Sequence, residues 1–358
     1  MSAEDILIVG GYGVVGRRIA AELAPDYPGR VVVGGRSVAR AETLALEVGH
    51  GVRGRSIDIA EPVSIAAAIE DAIVVINCID QPGRPLMWAA IERGLRYTDI
   101  APHLTELGRG AAYEKVDAAA RASGARIVLG TGTVPGISNV MARALADSLG
   151  GADEIQTALL LSANDVTGPA SIDYFLRELS MSFDIRVEGR DRATPAFSQP
   201  QVVDFPPPVG TKRGYLFPFS DQVLYPRTLG VRTAITRLAI EPGWVATLLA
   251  WLVRTGVSPL LANKAVRRAV AWQRRNRLSN ADARFALCVE VECGDRSKRA
   301  TLLGRGQANA TAIGAAGIAR LLIESDSAGP GAWMPEQIVE PRAFFSLLAG
   351  RGLVIEFQ

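Results

Sequence analysis

Over roughly its first third the chain alternates short apolar runs with segments of helix length. The apolar runs fall at 5–10 (DILIVG), 30–35 (RVVVGG), 54–59 (GRSIDI), 72–78 (AIVVINC), 96–101 (RYTDIA) and 125–130 (ARIVLG), and the helical segments at 14–24, 38–48, 62–70, 83–94 and 106–123. Strands that show no polar alternation are buried on both faces. The order therefore predicts a parallel sheet covered by helices on each side, the doubly wound Rossmann arrangement of the α/β class.

Past Pro135-Gly136 the texture changes. A helix capped by Ser138 is expected to run to about 149, followed by mixed strands and turns, a prolyl loop at 205–222, Trp-bearing helices at 243–254 and 258–277, and a hairpin-like pair at 283–294 and 298–309. The small-residue helix at 310–324 is expected to return and pack on the first domain. These segments predict a Rossmann domain over 1–137 and 310–358, with an α+β substrate-binding and dimerisation domain, 138–309, inserted before the C-terminal return.

The first strand runs into Gly11-x-Gly13-x-x-Gly16, and a helix follows. In that context the glycines have separate tasks: Gly11 permits the tight turn, Gly13 the approach of backbone to a pyrophosphate, and Gly16 the close packing of helix on sheet. Tyr12, Val14 and Val15 complete the loop, whose free N–H groups would hold the anion. About 20 residues further on, NAD sites carry an acid for the ribose 2′-hydroxyl. This chain has Gly35-Arg36-Ser37 instead, with Arg40 close behind. A guanidinium attracts the 2′-phosphate that a carboxylate would repel, so the predicted cofactor is NADP. Asp58, Asn77 and Cys78, at the ends of the third and fourth strands, are placed with the same cofactor set.

Composition narrows the field. Lys and Arg total 39 against 37 Asp and Glu, and a net charge of +2 is too small for a protein that neutralises a run of phosphates. Nucleic acid is not an expected partner, and the basic stretch 263–277 reads as the solvated face of a helix. Cys78, Cys288 and Cys293 form no CxxC pair and the two histidines, His50 and His103, lie far apart, so neither a metal site nor a disulfide framework is signalled. A reduced cytoplasmic setting is expected. The N-terminus does not read as a signal peptide, and the longest apolar run, 244–253, is too short to span a bilayer.

In a doubly wound sheet the working groups lie beyond the carboxyl ends of the strands. Asp99 and His103 are the catalytic candidates there, His103 as a proton donor and Asp99 as the residue that caps its loop. Thr131, Thr133, Pro135, Gly136, Ser138 and Asn139, at the predicted domain crossover, are candidates for the substrate site. Tyr215, Asp221, Tyr225 and Arg227 are expected to grip the substrate from the second domain, Arg227 as a carboxylate clamp. Trp244 and Trp251, at helical spacing, read as core or as a dimer contact. No Tyr-x-x-x-Lys occurs, so the proton relay of short-chain dehydrogenases is absent.

The segments VGGYGVVGRRIA, VVVGGRS, INCID, YTDIA, GTGTVPGISN and GAWMPEQIVEPRAFFSLLAGRGL together resemble the saccharopine dehydrogenase-like (saccharopine reductase) family, over the first 140 residues and the last 50. The resemblance implies a Rossmann domain with an inserted α/β domain, NADP or NAD, a homodimer, and redox chemistry at a C–N bond of an amino-acid-derived substrate. It also places Pro135 to Asn139 in the cleft wall and Asn77 and Cys78 beside the nicotinamide. Where family members commonly read Tyr-Val-Asp-x-x-Gly-Glu, this chain reads Tyr97-Thr-Asp99-Ile-Ala-Pro102-His103. The missing Glu weighs against a substrate with a free ammonium group. The expected activity is NADPH-dependent transfer of hydride to an imine, carbonyl or conjugated double bond of a small or medium metabolite. The alternatives are a trans-acting enoyl or ketone reductase on lipid or polyketide chains and a non-catalytic NADPH sensor.

Overall fold

The computed structural model describes residues 4–100, 111–163, 165, 169–263, 265–267, 283–326 and 328–358. In chain order the first elements are β1 (Asp5–Val9), α1 (Gly16–Leu23), β2 (Val31–Gly35), α2 (Val38–Val48), β3 (Arg53–Ser56), α3 (Pro62–Ala68), β4 (Ala72–Asn77), α4 (Pro85–Glu92), β5 (Arg96–Asp99), α5 (Ala111–Ser123) and β6 (Arg126–Leu129). There follow α6 (Ile137–Leu149), β7 (Glu154–Ser162), α7 (Pro169–Glu178), β8 (Ser182–Val187), β9 (Arg190–Pro195), β10 (Gln201–Phe205), β11 (Gly210–Leu216), α8 (Asp221–Thr228), β12 (Thr233–Glu241) and α9 (Gly243–Arg254). A 3-10 turn (Ser258–Ala262), β13 (Arg284–Cys293), β14 (Arg296–Arg305), α10 (Gln307–Glu324), β15 (Gly331–Trp333), α11 (Pro335–Ile338), α12 (Pro341–Ala349) and β16 (Ile355–Phe357) complete the chain.

The chain forms two compact units, Met1–Ile137 with Thr311–Glu340, and Ser138–Ala310 with Pro341–Gln358. In the first, seven strands run parallel in the order β15-β6-β5-β4-β1-β2-β3, the Rossmann plan with one strand added at its edge. The sequence pattern had shown six of these; β15 is three residues long and too short to leave a periodicity. The apolar runs of β1 and β2 are fully buried, as is that of β4 apart from half-buried Ile73, because helices cover both faces. Ala312, Ala315, Ala316 and Ala319 of α10 pack into the same core as Ile6, Ile8 and Ile19, as the small-residue pattern predicted. Arg320 fixes the far end of that helix, its Nη2 2.6 Å from the Asp26 carboxylate, and the Tyr27 hydroxyl donates to Glu324 at 2.5 Å.

The second unit is an α+β body built on a mixed nine-stranded sheet, β10-β11-β12-β7-β13-β14-β16, with β8 joined to β12 and β9 to β8. Only β12 and β7 pair in parallel; every other pairing is antiparallel. Residues 341–358 belong here, whereas the sequence reading assigned the whole of 310–358 to the Rossmann domain: β16 hydrogen-bonds along β14, with Thr301 opposite Glu356. The expected prolyl loop at 205–222 is largely ordered structure. Phe205 pairs with Gly210, so Pro206, Pro207 and Pro208 form the turn of the β10–β11 hairpin, Pro218 follows β11, and α8 begins at Asp221. Helix α6 starts at Ile137, and Ser138 is inside its first turn with its hydroxyl donating to Asn139 Oδ1 at 3.2 Å, so Ser138 is not the cap expected of it. Beyond α9 the chain turns through the 3-10 segment in place of an immediate second helix, and 268–282 lie outside the described residues.

Candidate functional site

The glycine loop spans the end of β1 and the start of α1 at the point where the strand order reverses, between β1 and β4. Each glycine meets a different constraint. A Cβ on Gly16 would lie 2.5 Å from the Gly10 carbonyl oxygen and 2.7 Å from Gly11 Cα, so helix and strand approach closely enough only without one. Gly11 is closed in the same way by Val33 and by the Ile8 carbonyl. Gly13 is different: it is exposed, and a Cβ there would touch only the Gly10 oxygen, at 3.0 Å. Its side of the loop is open to a ligand. Among the described residues the N–H groups of Val14 and Val15 donate to no acceptor, while those of Gly13 and Arg17 are spent inside the loop. Unsatisfied donors at a helix start are what a pyrophosphate fills.

Beside this loop, Tyr12 lies across the end of β2. Its ring covers Gly35 so closely that a Cβ on Gly35 would sit 2.3 Å from Tyr12 Cε1, which is why the strand ends in glycine. The Ser37 N–H donates to the Tyr12 hydroxyl at 3.3 Å, and the Ser37 hydroxyl in turn caps α2 by accepting from the Arg40 N–H at 3.4 Å. The Arg40 guanidinium lies 4.4 Å from the centroid of the Tyr12 ring. Arg36, next to it, is exposed and makes no ion pair among the described residues. The predicted set Tyr12, Arg36, Ser37 and Arg40 is thus brought together at one end of β2. Two cations and a helix start, with no acid between them, fit a 2′-phosphate. Sequence reasoning counted Tyr12 as loop filling; its role as the platform depends on the contact with Gly35, 23 residues away. Asp58 closes a local turn, its carboxylate accepting from the Ala60 N–H at 3.0 Å.

On the other side of the loop, Asn77 pairs with Val9 and the Cys78 N–H donates to the Val9 carbonyl, so β4 delivers both predicted residues next to Gly10. Asn77 is fully buried and its amide group donates to the Ile79 carbonyl at 2.7 Å and to Asp99 at 3.2 Å. Asp99 also accepts from the Tyr97 hydroxyl at 2.8 Å, which accepts from Gln81 Nε2 at 2.5 Å. Burial, reinforced by the Asp99 charge, pushes the Tyr97 phenol well above its ordinary range, so it keeps its proton and donates. Burial and Asp99 likewise hold the Cys78 thiol well above the thiol range, protonated and unreactive. Neither Asn77 nor Asp99 is a bare reactive group: together with Tyr97 and Gln81 they fix the segment after β4. His103 and Pro102 lie outside the described residues.

Residues 6–128 match the family model described as the saccharopine dehydrogenase NADP binding domain. The match covers about a third of the chain and lies within the first unit. With this domain the protein is an oxidoreductase, and its cofactor is NADP. A histidine-tagged apo saccharopine dehydrogenase (L-Glu forming) from Saccharomyces cerevisiae shares the fold across 99% of both chains, with a TM-score of 0.69 at 14% identity. A DAP dehydrogenase from C. glutamicum in complex with DAP covers 98% of this chain and 99% of its own at 14% identity and a TM-score of 0.48. Pen from Bacillus thuringiensis, at 18% identity, covers 36% of this chain and 51% of its own, with a TM-score of 0.29. No curated protein matches the chain.

The remaining candidates are all buried except Arg227, which is exposed. The Thr131 hydroxyl is bonded to that of Thr98 at 2.9 Å and that of Thr133 to Thr311 at 2.8 Å, so both are committed to holding the turn. Gly136, at φ +131, folds that turn back on Gly132, whose oxygen would be 2.0 Å from a Cβ; Pro135 is buried within it. In the second unit Tyr215 stacks on Phe197 with centroids 5.0 Å apart. Asp221 and Tyr225 meet on the face of the sheet, where Asp221 accepts from the Thr236 hydroxyl at 2.9 Å and Tyr225 lies 3.3 Å from the Thr157 hydroxyl. The four second-unit residues do not form one grip. Burial pushes the Asp221 carboxyl up to about 7, against the opposing pull of Thr236, the Gln222 N–H, Thr157 and Tyr225.

Replacing Gly13 by Val is expected to leave thermal stability near that of the parent and to remove NADPH binding, because the added side chain fills the open side of the loop. Gly16→Ala, by contrast, lowers the melting temperature, since the close contact is with backbone that cannot move aside. Calorimetry and a fluorescence titration on each variant separate the two; NADPH affinity unchanged in Gly13→Val would refute the placement. For Asp221 the fold keeps a proton that the unfolded chain releases between pH 3.8 and about 7. Stability falls as pH rises through that window, by on the order of 4 kcal/mol for such a shift, and is flat above it. Denaturant titrations at several pH values should show this slope in the parent and its absence in Asp221→Asn.

Proposed function

We propose that the protein is an NADPH-dependent reductase that transfers hydride to an imine, carbonyl or conjugated double bond of a small or medium metabolite. The observation that carries this reading is Arg36, exposed at the end of β2 with Arg40 and the Tyr12 ring beside it and no acid in the usual place. The chemistry supplied at such a site is hydride transfer by the nicotinamide, so the chain's own task is orientation and proton supply. Val14 and Val15 hold the pyrophosphate through their N–H groups, and Arg36 and Ser37 take the 2′-phosphate.

At the reacting end, Asn77 and Asp99 hold the segment after β4 against the loop, and the half-buried Cys78 presents a protonated thiol there. His103 is the proton donor in this reading, with Thr131 to Asn139 shaping the substrate site. A thiol and a phenol that both stay protonated leave no competing nucleophile at the end of β4. The same reading takes the protein as a cytoplasmic homodimer; three free cysteines support the reducing compartment.

Arg36→Ala tests the reading. Loss of a charge-assisted contact worth about 1.5–3 kcal/mol weakens NADPH by about 10- to 100-fold and leaves NADH nearly unchanged. Fluorescence titrations with NADPH, NADH, NADP and NAD measure this directly. An equal loss for both reduced cofactors would remove the 2′-phosphate assignment, and imine and enone panels scored by NADPH consumption then test the hydride acceptor.

A further inference from the structure

NAD sites place an acid about 20 residues past the glycines, where its carboxylate accepts from the ribose 2′-hydroxyl. In this chain Gly35 closes β2 at that distance, and the space its side chain would take is already filled. A Cβ on Gly35 would lie 2.3 Å from Tyr12 Cε1, 2.7 Å from Cζ and 2.8 Å from the phenol oxygen. The loop residue that follows Gly11 thus reaches over the end of β2 and puts a hydroxyl where the acid of an NAD site would begin. An acid at Gly35 and the Tyr12 ring in its present position exclude each other.

What stands in the acid's place is a donor. The Tyr12 oxygen accepts from the Ser37 N–H at 3.3 Å, and its own O–H has no acceptor among the described residues. The Ser37 hydroxyl is in the same condition, since its oxygen accepts from the Arg40 N–H at 3.4 Å while its proton is uncommitted among the described residues. The Arg40 guanidinium rests on the Tyr12 ring, 4.4 Å from its centroid, and neither it nor that of Arg36 makes an ion pair among the described residues. Two hydroxyl protons and two guanidinium groups therefore surround one ring with no carboxylate to receive them. A phosphate dianion, with several acceptor oxygens and two charges, answers that set; a ribose hydroxyl offers a single oxygen and no charge. The donors differ in rigidity. Arg36 and Arg40 are exposed and supply charge, whereas Tyr12 is half-buried against the core of the first unit and is held in place before any ligand arrives.

We propose that Tyr12 sets the preference for NADP over NAD: its ring excludes the acid that would bind a ribose hydroxyl, and its O–H donates to the 2′-phosphate. This rests on the placement of the 2′-phosphate at the end of β2, which Arg36→Ala tests on its own. Calorimetric titrations of the full chain with NADPH and NADH test Tyr12 itself. In Tyr12→Phe the ring keeps its contacts with Gly35 and Arg40 and loses only the hydroxyl. NADPH binding then weakens at least about tenfold, NADH binding stays within about twofold of the parent, and the melting temperature is unchanged. In the double variant Tyr12→Ala, Gly35→Asp the carboxylate has room, and the preference turns to NADH; Gly35→Asp alone, with the ring in its way, shows no such gain. NADPH affinity unchanged in Tyr12→Phe, or lost equally for both cofactors, leaves the hydroxyl a structural role and overturns the proposal. NADH binding by Gly35→Asp alone as tight as in the double variant overturns the exclusion. If Arg36→Ala lowers the preference for NADPH and Tyr12→Phe does not, Tyr12 alone is removed from the site; if neither does, the 2′-phosphate lies elsewhere and both assignments fall.

Discussion

A Cβ on Gly16 would lie 2.5 Å from the Gly10 oxygen, and much of the first unit depends on that missing atom. It lets α1 begin almost in contact with the strand that precedes it, leaving the N–H groups of Val14 and Val15 without acceptors. The same close approach carries Tyr12 over Gly35, and Tyr12 then holds the N–H of Ser37 and the guanidinium of Arg40. Close approach at Gly16 and at Gly35 thus shapes the start of α1 and the cationic end of β2. The binding loop and the core are one construction.

The structure treats its two buried carboxylates of interest in different ways. Asp99 receives a phenol and an amide from Tyr97 and Asn77 and so ties β4 to β5 beside the cofactor loop. Asp221 receives hydroxyl and backbone N–H donors, but these do not outweigh its desolvation, and its carboxyl is pushed up to about 7. Hydrogen bonds to the charged form and removal from water compete, and here burial is the larger effect. Both aspartates are engaged by neighbouring side chains.

The outer surface of the second unit follows a different logic. Exposed tryptophan and leucine on α9 are unfavourable in water alone. Each is unremarkable as a single residue. Trp244, Leu248 and Trp251 recur at helical spacing, so the three share one side of α9.

The sequence by itself determined the doubly wound sheet, the glycine loop, the arginine at the end of β2 and the returning alanine helix, because each is written in contiguous residues whose spacing maps directly onto backbone geometry. It also brought Asn77, Cys78 and Asp99 to the right strand ends, since strand ends follow from strand positions. Tertiary structure alone decided what those side chains do there. That Asn77 spends its amide on Asp99, that Asp221 is sealed under Thr236 while Arg227 faces solvent, and that Tyr12 covers Gly35 are facts of residues 15 to 23 positions apart or of opposite faces of one helix. The assignment of 341–358 to the second unit rests on strand pairing between β14 and β16, and the exposure of Trp244 and Trp251 on which side of an all-apolar helix faces inward. Periodicity reports that a face is apolar; only packing decides whether protein or solvent lies against it.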